Sequence, residues 1–148
     1  MTRWLLLFFA IAVGMLLPVQ QGVNATLKTW LGSPLYAALA SFATGTTTIL
    51  LYVLVMRLPM PTLSQAVLAP RWAWTGGLLG VVFVTAAILL APRLGATATA
   101  SAFIAGQILA SLWLDHGGLL GFAHHPMNIG RLVGVVLLLA GVILIRQF

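Results

Sequence analysis

Five apolar runs constrain this chain more than any other feature of its sequence. They cover about residues 4–26, 35–56, 72–91, 96–114 and 128–146. A helix needs about 20 mostly apolar residues to cross a hydrocarbon core roughly 30 Å thick, and five crossings of that length use nearly the whole chain. The sequence therefore predicts an all-α membrane protein whose residues 1–148 form a single five-helix transmembrane domain.

Composition and charge agree with lipid as the solvent. Hydrophobic residues make up 61% of the 148 residues and charged residues 5%, too few to cover a soluble domain of this size. The seven lysines and arginines are spread singly near the ends of the apolar runs and form no basic patch, which excludes nucleic acid as a partner. The absence of cysteine excludes disulfides, thiol catalysis and thiolate metal sites.

The segments between the runs set the helix boundaries. The first run follows Arg3 like a signal peptide, but four further spans predict that it is retained as a helix. We expect this helix to kink or unwind locally near the stretch from Pro18 to Gly22. Residues 58–71 hold three prolines and are too polar and broken to span. The fifth helix must begin before Arg131 to reach a spanning length.

The distribution of positive charge bears on orientation. Five spans place the termini on opposite faces, so the loops sort Arg3, Arg57, Arg71 and Arg131 to one face and Lys28, Arg93 and Arg146 to the other. Excess Lys and Arg orients membrane proteins, and four against three gives almost no bias. Both orientations are therefore predicted to insert and to pair as an antiparallel homodimer of ten helices. The alternative is that one residue of bias fixes a single orientation.

Amide side chains mark the second half of the first run. Gln20, Gln21 and Asn24 lie in one predicted membrane segment, where an unpaired amide costs several kcal/mol and must face protein or a water-filled cavity. Pro18 and Gly22 weaken the same stretch, so freed carbonyls could join the amides in a substrate site, as in discontinuous transporter helices. The amides could equally bond a neighbouring helix, and both interpretations stay open.

The fourth run carries a polar stripe. Its members fall within an arc of about 120° at 100° per residue and are Thr97, Ser101, Gln107, Ser111 and Asp115. A stripe that runs the length of a helix is better explained by a pathway than by one packing contact, and Gln107 lies near mid-span. The predicted substrate pathway comprises Gln20, Gln21, Asn24, Ser101, Gln107 and Ser111.

Small residues at helical spacing predict close helix packing. The positions are Gly45 in the second run, Gly76 and Gly80 in the third, and Ala102 and Gly106 in the fourth. Small-residue pairs of this kind are common, so they predict packing rather than a binding site.

The chain has few ionisable residues that could act in catalysis. Asp115 is the only acid in the chain and is either a coupling group or, as is more common at a helix end, the partner of Arg131. His116, His124 and His125 lack the spacing and carboxylate company of a metal site, so we expect neither a metal nor another cofactor. With no Ser-His-Asp set or phosphate loop, the sequence predicts a protein that is not an enzyme.

Seven short motifs together resemble the DUF606 family, also called YdcZ-like. They are Pro18-Val-Gln-Gln-Gly-Val-Asn24, Gly32-Ser-Pro-Leu35, Ser41-Phe-Ala-Thr-Gly45, Gly76-Gly-Leu-Leu-Gly80, Pro92-Arg-Leu-Gly95, Gly106-Gln107 and Asp115-His-Gly117. The resemblance extends over nearly the whole chain. It rests on the order and spacing of the motifs rather than on any one of them.

The resemblance implies a function as well as a fold. The family belongs to the drug/metabolite transporter superfamily of five-helix bacterial inner (cytoplasmic) membrane proteins, which occur as dual-topology homodimers, paired genes or fused tandems. The expected function is therefore secondary transport of a small, unidentified solute by alternating access between the halves of an inverted dimer. The alternatives are a non-transporting membrane scaffold or assembly subunit and one half of a heterodimeric transporter. Unlike the small multidrug resistance relatives, the chain has no Glu in its first helix, which argues against their mechanism of exporting hydrophobic cations.

Overall fold

The structure, a computed structural model, describes residues 2–147, with side chains from Trp4 onward, and its regular elements are all helical over that range. The α-helices are α1 (Thr2–Gly14), α2 (Leu16–Leu31), α3 (Pro34–Val55), α4 (Leu63–Leu68), α5 (Gly76–Leu94), α6 (Ala96–Gly117) and α7 (Ile129–Gln147). Short 3-10 helices occupy Arg71–Thr75 and Leu119–Gly121.

Five helical stretches are long and apolar enough to cross a membrane. They are Trp4–Leu31, Pro34–Val55, Arg71–Leu94, Ala96–Gly117 and Ile129–Gln147. The prediction of an all-helical chain with five candidate spans is thereby confirmed, and the fifth helix begins before Arg131 as its length required. The helix ends differ from the predicted ones by a few residues because capping, rather than hydropathy, ends a helix.

The first span is interrupted upstream of the predicted place. Residues 18–22 are helical within α2, and the break between α1 and α2 falls at Met15. Pro18 has no N–H to donate to the carbonyl of Gly14, and its ring crowds that carbonyl, so the disturbance appears one turn before the proline. The break therefore lies three residues before the stretch near which it was predicted, and Pro18 explains it.

Capping residues fix the other helix ends. The Ser33 hydroxyl accepts a hydrogen bond from the Leu35 backbone N–H at 3.2 Å, and α3 follows. In the proline-rich linker, Thr62 and Gln65 form a capping box that starts the short, non-spanning α4. Gly118 ends α6 in the left-handed region at φ 57°, a conformation that glycine adopts without strain.

The described chain forms two compact units. One comprises Val19–Pro92, and its buried core is Ala37, Ala38 and Ile88, with Leu27 and Val84 packed against it. The other contains the described residues up to Pro18 and those from Arg93 onward, and in it α6 packs along α7. In each candidate span, at most 11% of the most apolar 18-residue window is buried. Most of the apolar surface is thus left to lipid or to another chain.

Candidate functional site

The amides of α2 occupy different environments. Gln21 and Asn24 are both only 5% exposed, whereas Gln20, which lies on another side of the helix, is exposed. The Oε1 atom of Gln21 is buried and has no hydrogen-bond partner among the described residues. A buried acceptor without a partner costs about 1–3 kcal/mol, so Gln21 is held in an unfavourable position that an incoming donor would relieve.

The polar stripe of α6 divides along its length. Ser101 lines a cleft of about 290 Å³ whose other walls are apolar and come largely from α7, including Leu138 and Gly141. Its hydroxyl donates back to the Thr97 carbonyl at 2.7 Å, which satisfies the donor within the helix. Ser111 lines a second cleft of about 280 Å³ together with residues of α6 and α7. Both clefts are lined mainly by apolar groups.

Gln107 differs from the other members of the stripe. Its side chain is exposed on the protomer surface, and nothing in the described part of the chain hydrogen-bonds to it. It lies near the middle of α6, eleven residues after Ala96, which corresponds to about 16 Å along the helix axis. An amide at that depth has no water to bond unless a pathway or another chain supplies a partner.

An ion pair closes one end of the 280 Å³ cleft. Arg131 Nη1 donates to Asp115 Oδ2 at 3.2 Å and to the His125 carbonyl at 3.3 Å. The two charged side chains are 35% and 30% exposed, so solvent screens the pair only in part. The Asp115 carbonyl also accepts the His125 N–H at 2.8 Å, which ties the α6–α7 connection to the end of α6. The arginine partnership that the sequence favoured for Asp115 is therefore present.

In the rest of the α6–α7 connection, side chains accept hydrogen bonds from backbone N–H groups. His116 Nδ1 accepts the Met127 N–H at 3.2 Å, and the His116 and His124 rings lie 6.2 Å apart. Asn128 Oδ1 accepts the Arg131 N–H at 2.9 Å, the bond of an N-cap residue at the start of α7. These contacts position Arg131 for Asp115 and give His116 a structural task in the loop.

The small residues predicted to pack closely mostly do not do so within the protomer. A Cβ atom added at Gly80 would meet the Phe42 ring at 3.4 Å, so only there does a described side chain approach. Gly45, Gly76 and Gly106 have no described neighbour within 4 Å of that position, and Ala102 is exposed. Packing at these positions stays a prediction, and within the protomer they are open to another chain.

Two threonines with buried hydroxyl oxygens were not predicted. Thr85 and Thr99 have hydroxyl oxygens that are buried without a partner among the described residues, and Thr99 is 1% exposed. Thr99 lies about 200° from Thr97 around the helix, on the same side as the small residues Ala102 and Gly106. The sequence offered no signal for this burial, since Ala102 and Gly106 on the same side of α6 are themselves exposed in the protomer.

Comparison with known proteins shows the family to which the chain belongs. A family model described as "Putative inner membrane exporter, YdcZ" matches residues 5–144, which include most of every candidate span. No curated protein and no solved structure matches the chain.

Proposed function

The chain belongs to the YdcZ (DUF606) family of inner membrane proteins, and from that premise we propose that it exports a small solute as an antiparallel homodimer by alternating access. The family description and the five candidate spans support a multi-pass membrane transporter. The paired arrangement, the pathway and the cargo class are our own extension.

The exposed Gln107 carries the proposal. Facing hydrocarbon near mid-span, an unpaired amide would cost several kcal/mol, more than a single packing contact returns. A second copy inserted upside down would bring an equivalent α6 to the same depth, since Gln107 is nearly equidistant from both ends of its helix. The two amides would then face a shared aqueous pathway instead of lipid.

The exposed apolar surface of the spans and the distribution of positive charge both support pairing with a second, inverted copy of the chain. At most 11% of the window that defines each candidate span is buried in the protomer, and three of the predicted packing glycines are open. The four-against-three distribution of Lys and Arg permits both orientations, and an odd number of spans makes the inverted copy equivalent to an inverted repeat.

The remaining pathway residues are assigned individually. Gln20, Gln21 and Asn24 offer amides from α2, and Ser101 and Ser111 offer hydroxyls beside the α6–α7 clefts. Asp115 is the candidate for coupling, and its carboxylate is already paired with Arg131. Coupling at Asp115 predicts that Asp115→Asn abolishes the response of transport to a pH gradient while flux down a solute gradient persists.

Flux tests the pathway directly. Purified protein alone, reconstituted in liposomes, is expected to transport at least one member of a broad panel of neutral, zwitterionic and amphipathic solutes. Gln107→Leu should lower the initial rate by about tenfold, the effect of losing about one hydrogen bond in the transition state. Gln147→Leu removes an amide at the end of α7 and should leave the rate unchanged. Absence of flux for every solute would favour the scaffold or heterodimer, and full flux in Gln107→Leu would remove Gln107 from the pathway.

Orientation is tested with single cysteines, which the natural chain lacks. Ala123→Cys lies in the α6–α7 connection and Gln147→Cys at the opposite end of α7. In intact spheroplasts, an impermeant maleimide should label about half of the molecules of each variant if both orientations insert in equal numbers. Complete labelling of one variant and none of the other would establish a fixed orientation and overturn the antiparallel homodimer.

A further inference from the structure

A third cleft lies at the other end of the α6–α7 pair from Asp115. It has a volume of about 350 Å³ and is lined by Arg93, Leu94, Ala98, Ala102, Val142, Ile145 and Arg146. Its walls come from the last turn of α5, the first two turns of α6 and the last two turns of α7, all within one compact unit. This volume falls in the range of about 300–1,000 Å³ that small-molecule sites occupy.

Its two arginines have no acidic side chain to pair with. Asp115 is the only acid in the chain, and it binds Arg131 at the far end of α6. Ala98 and Asp115 are seventeen residues apart on that helix, or about 25 Å. Within the described part of the chain, neither Arg93 nor Arg146 has a hydrogen-bond or ion-pair partner.

The arginines set the sign of the potential in this cleft. The carboxyl ends of α5 and α7 and the amino end of α6 meet here, so the macrodipoles leave about half a negative charge, which the two positive guanidinium groups outweigh. Two guanidinium groups remain, each with a planar fork of donors that matches a phosphate or carboxylate. A lone arginine at a membrane surface ordinarily extends to the lipid headgroups. Two arginines that line one cavity can instead bind the same anion.

The rest of the cleft is apolar. Ala98 and Ala102 leave room beside α6, while Val142 and Ile145 supply branched side chains from α7. We propose that this cleft binds an amphiphilic anion, with its phosphate or carboxylate headgroup on Arg93 and Arg146 and its apolar chain along the two alanines. A resident anionic phospholipid and an amphiphilic cargo share this chemistry. The site does not depend on transport and can be measured without it.

Binding is measured on the purified full chain in dodecyl maltoside, with dodecyl phosphate as the probe and inorganic phosphate for comparison. Dodecyl phosphate is expected to bind about tenfold or more tightly than inorganic phosphate, because only the former uses the apolar wall. The double variant R93K/R146K keeps the four-against-three charge distribution, so it does not alter insertion. It should bind dodecyl phosphate about tenfold more weakly, because lysine lacks the guanidinium fork.

Two further variants separate the site from general effects. Arg71→Lys changes an exposed arginine outside the cleft and should leave the affinity unchanged. Ala98→Leu fills the apolar wall and should weaken dodecyl phosphate about tenfold while inorganic phosphate binding stays the same. Equal affinity in the wild type and R93K/R146K, or an equal loss in Arg71→Lys, would overturn the proposal.

The two sources of the anion are separated by native mass spectrometry of protein taken directly from membranes. Anionic phospholipid retained by the wild type and lost from R93K/R146K identifies a resident lipid. A cargo site is identified if the wild type retains no anionic phospholipid but transports dodecyl phosphate into proteoliposomes, and R93K/R146K does not transport it. If the wild type neither retains anionic phospholipid nor transports dodecyl phosphate, and does not bind the probe in detergent, the cleft is not a binding site. That conclusion holds whatever the outcome of the Gln107 flux experiment.

Discussion

Replacement of Gln21 by leucine should stabilise the protein, although it removes a polar residue from the proposed pathway. Gln21 is 5% exposed, and its Oε1 atom is buried without a partner among the described residues. Leucine has a similar volume and no polar atom, so Gln21→Leu removes the unsatisfied acceptor without opening a cavity. The expected change in the free energy of unfolding is therefore positive.

The magnitude follows from the environment of the amide. A buried, unsatisfied acceptor costs about 1–3 kcal/mol in a soluble protein. Hydrogen bonds in membrane proteins are worth about 0.6 kcal/mol on average, because the unfolded chain in lipid also finds partners. We therefore expect Gln21→Leu to raise the free energy of unfolding by about 1 kcal/mol, near the lower end of the soluble range.

Unfolding in mixed micelles with increasing sodium dodecyl sulfate provides the measurement, followed by the fluorescence of the five tryptophans. Gln20→Leu is the matched comparison, since it removes an exposed amide from the same helix, and the difference between the two variants isolates the effect of the buried, unsatisfied Oε1 atom. In the flux assay, Gln21→Leu should instead be slower than the wild type by about tenfold, if the free acceptor is kept for the solute.

A loss of about 1 kcal/mol or more in Gln21→Leu would refute this reasoning. That result would mean that Oε1 accepts a hydrogen bond in the assembled protein, as expected if Gln21 bonds a neighbouring helix or the partner copy. A gain in stability with unchanged flux would be equally informative, because it would leave the oxygen unsatisfied and remove Gln21 from the pathway.

Three further predictions concern packing and the α6–α7 connection. Gly80→Leu should lower the free energy of unfolding by about 1–3 kcal/mol because its side chain meets a neighbouring ring, whereas Gly76→Leu should be near neutral in a monomeric preparation. Asn128→Ala should cost about 1 kcal/mol through loss of the N-cap, and Asn128→Asp should restore it, both by the same unfolding assay. A double-mutant cycle of Asp115→Asn and Arg131→Gln should give a coupling energy of about 0.5–1 kcal/mol, since the pair is partly exposed and makes one hydrogen bond. A value near zero would show that the pair contributes nothing to the stability of the folded protein.

Hydropathy was sufficient to predict the five spans, because spanning length is a property of composition alone. The positions of helix breaks and of short capped helices were harder to predict. The effect of Pro18 was foreseen, but the break lies at Met15 because a proline disturbs the carbonyl four residues before it. The helix α4 was not predicted in the linker, although Thr62 and Gln65 carry the capping-box pattern that starts it.

The candidate site was predictable to the level of a helix face and no further. Periodicity put Ser101, Ser111 and Asp115 on one side of α6, and the structure places all three beside α7. It could not show that Gln107 is exposed or that Thr99 is buried, because these depend on which neighbours occupy each face. The clustering of Arg93 with Arg146 was equally hidden, since the two residues are 53 positions apart and meet only through the packing of α6 on α7.

The disposition of charge restricts the cargo more than the polar stripe does. A cationic solute would need backbone carbonyls, aromatic faces or a carboxylate, and the single carboxylate side chain has its Oδ2 atom 3.2 Å from the Arg131 guanidinium. A solute that binds at that carboxylate would have to displace a cation held within the same chain, and the displaced guanidinium would then repel it at close range. An anionic or neutral solute meets no such competitor, because Arg93 and Arg146 have no acidic partner and the amides carry no charge. The proposed exporter should therefore discriminate against hydrophobic cations, and addition of one acid at mid-span, as in Gln107→Glu, is the change most expected to admit them.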